Sequence, residues 1–328
     1  MSRVLRYLSV LLILTLLATG LGCGNLFSTD SNSLRKPSAP PPDFRFAVFG
    51  DNRPENPMEP QPEIFKKLIA QIELERPALV FSTGDMVTGK TANENIYRRQ
   101  YRDFLEIIQK LKTFHAAVGN HDAANQIGQS LYQEYLSERL YYSFDYKGSH
   151  FIILNTEIVG QAGRIGELQL SWLKEDLESN NGAFHIFVFM HRPLYSIMNP
   201  QSKRGRHMPF TDIRNRDQIR ELMRKYRVDV VFAGHEHFFN KQVHDGITYI
   251  ITGCAGAFPY TDEGHGGFRH YVLVEVKGRH IHLTVVKATG ERINPDRIPT
   301  PSFQPFTKIP SRVTSGTSGR SGHLVLSR

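Results

Sequence analysis

The sequence predicts a layered α/β sandwich, and three observations carry that prediction. Short apolar runs alternate with segments of helical periodicity from Phe44 to about residue 235. Hairpin-like apolar runs then take over, which adds antiparallel strands. Polar residues also fall directly after the apolar runs, and in such sheets ligands gather beyond the carboxyl ends of strands.

Taken in order, FRFAVFG (44–50) reads as a buried strand ending in a loop. Residues 61–75 place Ile64, Phe65, Leu68, Ile69 and Ile72 at helical spacing. ALVFSTG (78–84) is a second strand, 94–111 a helix, FHAAVG (114–119) a third strand and 128–139 a helix. Residues 141–156 form a hairpin turning at Lys147 and Gly148. A Leu-rich helix over 166–179, with Leu168, Leu170, Leu173 and Leu177, carries the single tryptophan, Trp172, as a core residue. FHIFVFMH (184–191) is a strand, 215–226 a helix and VDVVFAGH (228–235) a strand. KQVHDGITYIITG, FRHYVLVEV and HIHLTVV supply the β-rich remainder, to about Ala288.

The chain has 328 residues, 40% of them hydrophobic and 22% charged, which suits one domain of roughly 250 residues with tails. The formal net charge of +8 lies partly outside the fold, at Arg3, Arg6, Arg312, Arg320 and Arg328. No dense Lys/Arg run carries interleaved aromatics, which argues against nucleic acid as a specific partner. A mildly basic body favours anionic substrates or an acidic lipid surface.

The N-terminus reads as an address. Two arginines precede an apolar run from Val10 to Ala18, and small residues lead to Cys23. The run is too short for a comfortable membrane span. Residues 1–23 resemble a bacterial lipoprotein signal, which implies that Cys23 becomes the acylated first residue of the mature protein. Gly20 stands where that pattern has leucine, with Leu21 one place later. An uncleaved anchor, or ordinary cleavage nearby, is the alternative. Each reading exports the body to the periplasmic or cell-surface side of a bacterial membrane. Residues 24–43 are a Pro/Ser-rich linker, 44–290 the folded domain, and 291–328 a tail of linker-like composition expected to be disordered. Cys254, the other cysteine, reads as a small buried residue.

Five strand ends carry the chemistry. They are Gly50-Asp51-Asn52-Arg53, Gly84-Asp85, Gly119-Asn120-His121-Asp122, Met190-His191-Arg192-Pro193 and Gly234-His235-Glu236-His237. Glycine before the ligand, in four of them, is expected to let the backbone turn sharply. Two close divalent cations need a bridging carboxylate and neutral imidazoles, and Asn offers a neutral carbonyl oxygen that limits repulsion of an anion. Singly, each such residue is more often a turn former or helix cap. Five in chain order, each after an apolar run, point to metal chemistry.

This pattern resembles the calcineurin-like metallophosphoesterase superfamily, whose blocks run D-x-H, G-D, G-N-H-[DE], H and G-H-x-H. The resemblance covers roughly residues 44 to 288 and implies an αββα fold with metal ligands at strand ends. Asp51 would bind the first metal and Asp85 would bridge both. Asn120, His191 and His235 would complete the second, and His237 would return to the first. His121 would contact the phosphate or protonate the leaving alkoxide, with Asp122 orienting its ring. The implied activity is hydrolysis of a phosphate mono- or diester by a hydroxide bridging two divalent ions (manganese, iron or zinc).

One departure stands out. Arg53 occupies the place of the first block's histidine, and a guanidinium has no lone pair for a metal. The first metal then keeps Asp51, Asp85 and His237, with Asn52, a nearby side chain or water left to fill the gap. Purple acid phosphatases also lack that histidine and use a tyrosine three places after the bridging Asp, where this chain has Thr88. Arg53 could instead hold the substrate phosphate bidentately. The alternative function is a surface-binding protein that kept the fold and lost one metal through Arg53. A serine esterase is disfavoured, since no G-x-S-x-G is present. Glu236 is expected at the surface, His207 in a solvated basic loop, and His150, His185, His280 and His282 in strands.

Overall fold

The computed structural model describes residues 42–198 and 210–301. Cys23, His207, nearly all of the 24–43 linker and the end of the tail lie outside them. The strands are β1 (Phe44–Phe49), β2 (Leu79–Ser82), β3 (Phe114–Ala116), β4 (Tyr142–Tyr146), β5 (Ser149–Ile153), β6 (Glu157–Ile158), β7 (Gln161–Ala162), β8 (His185–Phe189), β9 (Val230–Ala233), β10 (Phe239–His244), β11 (Ile247–Thr252), β12 (His270–Lys277), β13 (His280–Lys287) and β14 (Arg292–Ile293). The helices are α1 (Glu63–Glu75), α2 (Glu94–Ile108), α3 (Gln126–Tyr135), α4 (Glu167–Ser179) and α5 (Ile213–Lys225).

Two six-stranded sheets form the middle layers, in the orders β14-β13-β12-β1-β2-β3 and β10-β11-β9-β8-β5-β4. The strands that carry the polar blocks run parallel within each sheet, β1 with β2 and β3, and β8 with β9. In the second sheet β5 and β11 extend this parallel core and antiparallel strands close its edges, including β4 of the β4–β5 hairpin that turns at Lys147 and Gly148, both with positive φ.

Alternation along the strands builds the layers. In β1, Phe46 and Val48 face a core shared by both sheets, while Ala47 and Phe49 pack with α1 and α2. In β8, Phe187 and Phe189 join the same inter-sheet core, while Ile186 and Val188 pack with α4 and α5. Phe81 of β2 stacks on Phe189 across the sheets, with centroids 3.9 Å apart. Each such fully buried ring contributes about 1.5–3 kcal/mol of hydrophobic stabilisation. The result is the expected αββα layering. Among the described residues no helix is long and apolar enough to cross a membrane.

Several expectations need correction. Leu168 is 83% exposed, one position out of phase with the α4 face that buries Leu173 and Leu177. Two elements lie past the expected boundary at 290. The β14 strand pairs with β13 through Val285–Ile293 and Val286–Arg292, and a 3-10 turn follows at Pro295–Arg297. Linker-like composition hid a short edge strand whose pairing partner is already in place.

Candidate metal centre

Sharp turns at the strand ends aim the side chains. Asp51, Asp85 and His235 themselves adopt left-handed backbone, with φ of 54°, 59° and 68°. That conformation strains non-glycine residues and concentrates at functional sites. Of the four glycines expected to make these turns, only Gly84 has positive φ. The others serve close approach instead. A Cβ on Gly119 would lie 2.3 Å from Asp85 Oδ1, and one on Gly234 would lie 2.4 Å from Asp51 Oδ2.

Six expected ligands converge. His191 donates from Nδ1 to Thr83 O at 2.8 Å, which in the neutral ring leaves a lone pair on Nε2. That nitrogen faces Asn120 Oδ1 at 3.0 Å, His235 Nδ1 at 3.0 Å and Asp85 Oδ1 at 3.5 Å. On the other side, His237 donates from Nδ1 to Phe258 O at 2.8 Å and turns Nε2 to Asp51 Oδ1 at 3.3 Å. Donor atoms of Asp51, Asp85 and His191 lie within 4.8 Å of one another. Asp85 sits between the two groups, as a bridging carboxylate must.

The donor set fits a pair of cations. Asp51 Oδ1 is buried without a hydrogen-bond partner, while Asp51 Oδ2 accepts from His235 N at 2.9 Å. An orphaned carboxylate oxygen is costly unless something positive meets it. Lone-pair atoms 3.0–3.5 Å apart also match the edges of a coordination shell with bonds of about 2.0–2.2 Å. Burial raises the Asp51 carboxyl well above its ordinary value, against the pull of His191. Burial works the same way on Asp85, yet His191, His121 and Arg53 together hold its carboxyl below the carboxylate range. Burial pushes His237 down to about 3, so it stays neutral as a ligand should.

Arg53 lies over the centre. Its Nε is 3.6 Å from Asp85 Oδ2, with the side chain 14% exposed. Asn52 donates from its amide nitrogen to Gln61 Oε1 at 2.9 Å and to Met86 O, while its Oδ1, the atom that could meet a cation, is buried without a hydrogen-bond partner. Thr88 spends its hydroxyl on Pro54 O at 2.6 Å.

His121 is placed but not oriented as expected. Its Nδ1 donates to Thr88 O, and Nε2 stands 3.9 Å from Asp85 Oδ2. The Asp122 carboxylate does not touch the His121 ring. Its oxygens accept from the backbone N–H groups of Gly119 and Asp85 at 2.8 Å, Met86 at 3.0 Å and Val87 at 3.3 Å. Asp122 therefore fixes the Asp85 loop against the Gly119 loop. Four convergent amides outcompete one ring N–H for a buried carboxylate. Glu236 also departs from expectation: it is fully buried, accepts from Ile197 N at 3.4 Å, and burial pushes its carboxyl up to about 7. Alternation fails there because the loop curls inward beside the ligands.

A cavity of about 290 Å³ opens over the centre, lined by Arg53, Asp85, Lys90, Asn120, His121, Arg192, His235, His237 and Tyr260. Lys90 and Tyr260 were missed in the sequence. Lys90 adopts φ of 54°, and burial lowers its ammonium pKa. Tyr260 follows β11, so the strand-end rule applied once more would have found its loop. Arg192 makes a bidentate pair with Glu157, at 2.8 and 3.2 Å. A larger hollow of about 990 Å³ lies elsewhere, lined by Arg227, Asp229, Lys241, Lys277 and Asp296 among others, with none of these ligands.

Residues 44–239 match the family model for the calcineurin-like phosphoesterase. Purple acid phosphatase 23 of Arabidopsis thaliana is 32% identical over 164 residues, covering 45% of this chain and 33% of that protein. Acid phosphatase type 7 of Mus musculus is 25% identical, covering 65% of this chain and 54% of that protein. The chain thus spans between a third and about half of these curated relatives. Among solved structures, a purple acid phosphatase from yellow lupin (Lupinus luteus) seeds superposes with a TM-score of 0.62 at 18% identity, over 77% of this chain and 53% of that one. A dimetal phosphatase from Danio rerio gives 0.57 at 12% identity, over 76% and 98%. At these identities the likeness shows the fold.

Proposed function

Since this chain belongs to the calcineurin-like phosphoesterase family, we propose that it hydrolyses a phosphate ester at a two-cation centre formed by Asp51, Asp85, Asn120, His191, His235 and His237. The observation that carries this is the convergence of lone pairs from five strand ends on one buried cluster, with Asp51 Oδ1 left unpaired. Two divalent ions there would polarise the phosphoryl oxygens and lower the pKa of a water between them. The chain's own groups do the rest. Arg53 presents its guanidinium at the cavity wall, where it can donate to two phosphoryl oxygens. Lys90 adds a second positive charge at the same wall. The Thr88 carbonyl accepts from Nδ1 of the His121 ring and leaves its Nε2 at the cavity wall. Because burial pushes this histidine down to about 3, it would donate to the phosphate or to the leaving oxygen only as an imidazolium held by the substrate's negative charge. Asp122 holds the Asp85 and Gly119 loops in register.

Two cationic side chains at one wall favour a dianionic monoester over a diester. Purified protein with manganese, zinc or iron should turn over p-nitrophenyl phosphate faster than bis-p-nitrophenyl phosphate. No turnover of either by protein with two bound ions would sink the reading. A second reading, a fold-retaining binding protein, draws on the Arg53–Asp85 ion pair at 3.6 Å and predicts one ion or none. The export reading completes the proposal: lipid at Cys23 holds the domain on the outer side of a membrane. A Cys23→Ser variant should leave the membrane fraction, and its retention there would exclude the lipid anchor.

A further inference from the structure

We propose that Tyr260 is a metal ligand, supplying through its phenol oxygen the donor that Arg53 removes from the first cation's side of the centre. The proposal rests on the two-cation reading of this site. Tyr260 Oη stands 3.2 Å from His237 Nε2, the same nitrogen that faces Asp51 Oδ1 at 3.3 Å. Those two separations are edge lengths of a coordination shell, and His237 Nε2 is their shared vertex. With the His237 Nδ1 proton committed to Phe258 O, Nε2 carries the lone pair, so three lone-pair atoms gather where the first cation is short of ligands.

The segment around Tyr260 is built to hold it there. Its ring stacks on His237, with centroids 4.0 Å apart and planes 22° from parallel. Its N–H donates to His237 O at 2.9 Å, so backbone and ring are both referred to one ligand. The loop before it is tied to Asp51, whose carbonyl accepts from Ala257 N at 2.8 Å. The nitrogen beside Tyr260's oxygen is thus an expected ligand of the first cation, and the residue lines the cavity with Asp85 and Arg53. Coordination replaces the O–H bond by an oxygen–metal bond, and the proton leaves to solvent. A phenolate donor also offsets charge at a side of the centre that already holds a guanidinium.

The bland reading is a hydrogen bond from Tyr260 Oη–H to His237 Nε2 that blocks this nitrogen as a ligand. Two measurements separate them without any assay of turnover. The first is metal content and affinity of the whole protein loaded with manganese, for wild type, Tyr260→Phe and Tyr260→His. The second is the visible spectrum of protein loaded with iron(III), because phenolate-to-iron charge transfer absorbs visible light and imidazole ligation does not. Tyr260→Phe should weaken one of two sites by at least about tenfold and abolish the visible band. Tyr260→His should restore the second ion without the band. A Tyr260→Phe protein with both ions at wild-type affinity, or wild type with two iron ions and no visible band, would overturn the proposal. Circular dichroism and binding of the remaining ion report that each variant is folded. A protein that binds two ions with the band yet hydrolyses nothing would keep this inference while the phosphoesterase reading falls.

Discussion

The two halves of the centre are built on different plans. On one side Asn120, His191 and His235 come from three strand ends and meet at 3.0 Å, with Asp85 at 3.5 Å. Imidazole and carbonyl donors are all they present. On the other side Asp51 and His237 face each other at 3.3 Å while Arg53 leans on Asp85 at 3.6 Å. On the proposed reading, one half would hold a cation and the other would share its space between a cation and an anion. If that reading holds, the difference teaches that a substitution of one ligand by arginine need not erase a centre, because it would move a phosphate-binding charge inside the ligand sphere.

The most severe way to test this contrast is to remove what the halves share. Asp85→Asn should lower turnover by a factor on the order of 10³ or more and reduce both ions in metal analysis, because a bridging charge is lost from a buried site. Retention of two ions at wild-type affinity would break the bridging assignment. His191→Ala should be nearly as damaging to turnover while sparing the ion on the Asp51 side. That selectivity sharpens the division into halves.

Next in size is the cavity rim. His121→Asn should lower kcat by about 10²-fold with metal content unchanged, since the ring is held by Thr88 O rather than placed as a ligand and the backbone N–H that donates to Asp85 Oδ1 is kept. Loss of a metal ion instead would move His121 into the ligand set. Arg53 divides the two roles more finely. Arg53→Ala should raise KM for a monoester about tenfold, the effect of one charge-assisted contact of about 1.5 kcal/mol, and leave both ions bound. Arg53→His should raise metal affinity on the Asp51 side and still weaken substrate. If Arg53→Ala leaves KM unchanged, the charge serves Asp85 alone.

Much of this contrast was legible before any coordinates. The αββα layers follow from period-two phenylalanines and period-3.6 leucines, both local signals. The six expected ligands come together in the structure because each follows a buried strand, so chain order alone placed them at one edge. Side-chain direction beyond that edge was not legible. Asp122 looked like a partner for His121 because the two are adjacent. Four backbone amides, three of them from Asp85, Met86 and Val87 far upstream in the chain, claim its carboxylate. Glu236 looked exposed because it alternates with two ligands, yet the turn at His235, with φ of 68°, breaks that alternation. Tyr260 lay in a loop whose contact with His237 is set by tertiary packing. The glycines were read correctly as necessary and wrongly as turns, since crowding and torsion leave the same letter in a sequence.

The smallest effect separates the halves by protons. Burial holds His237 near 3 in the folded, metal-free protein, whereas an unfolded histidine titrates near 6.5. The unfolded chain therefore binds more protons across that interval, and stability falls as pH drops from about 6.5 toward 3. Above 6.5 the contribution is fully present. Fully buried His270, outside the centre, is pushed down to about 4 and acts with the same sign, while His150, between Asp145 and Asp176, is raised and acts with the opposite sign. In chelator-treated protein, replacing His237 by asparagine should remove about 1–2 kcal/mol of the stability lost between pH 7 and pH 5, read from denaturant midpoints. An unchanged acid slope would mean that His237 is already solvated without its ion, and that the Asp51 side is a loose half rather than a preformed one.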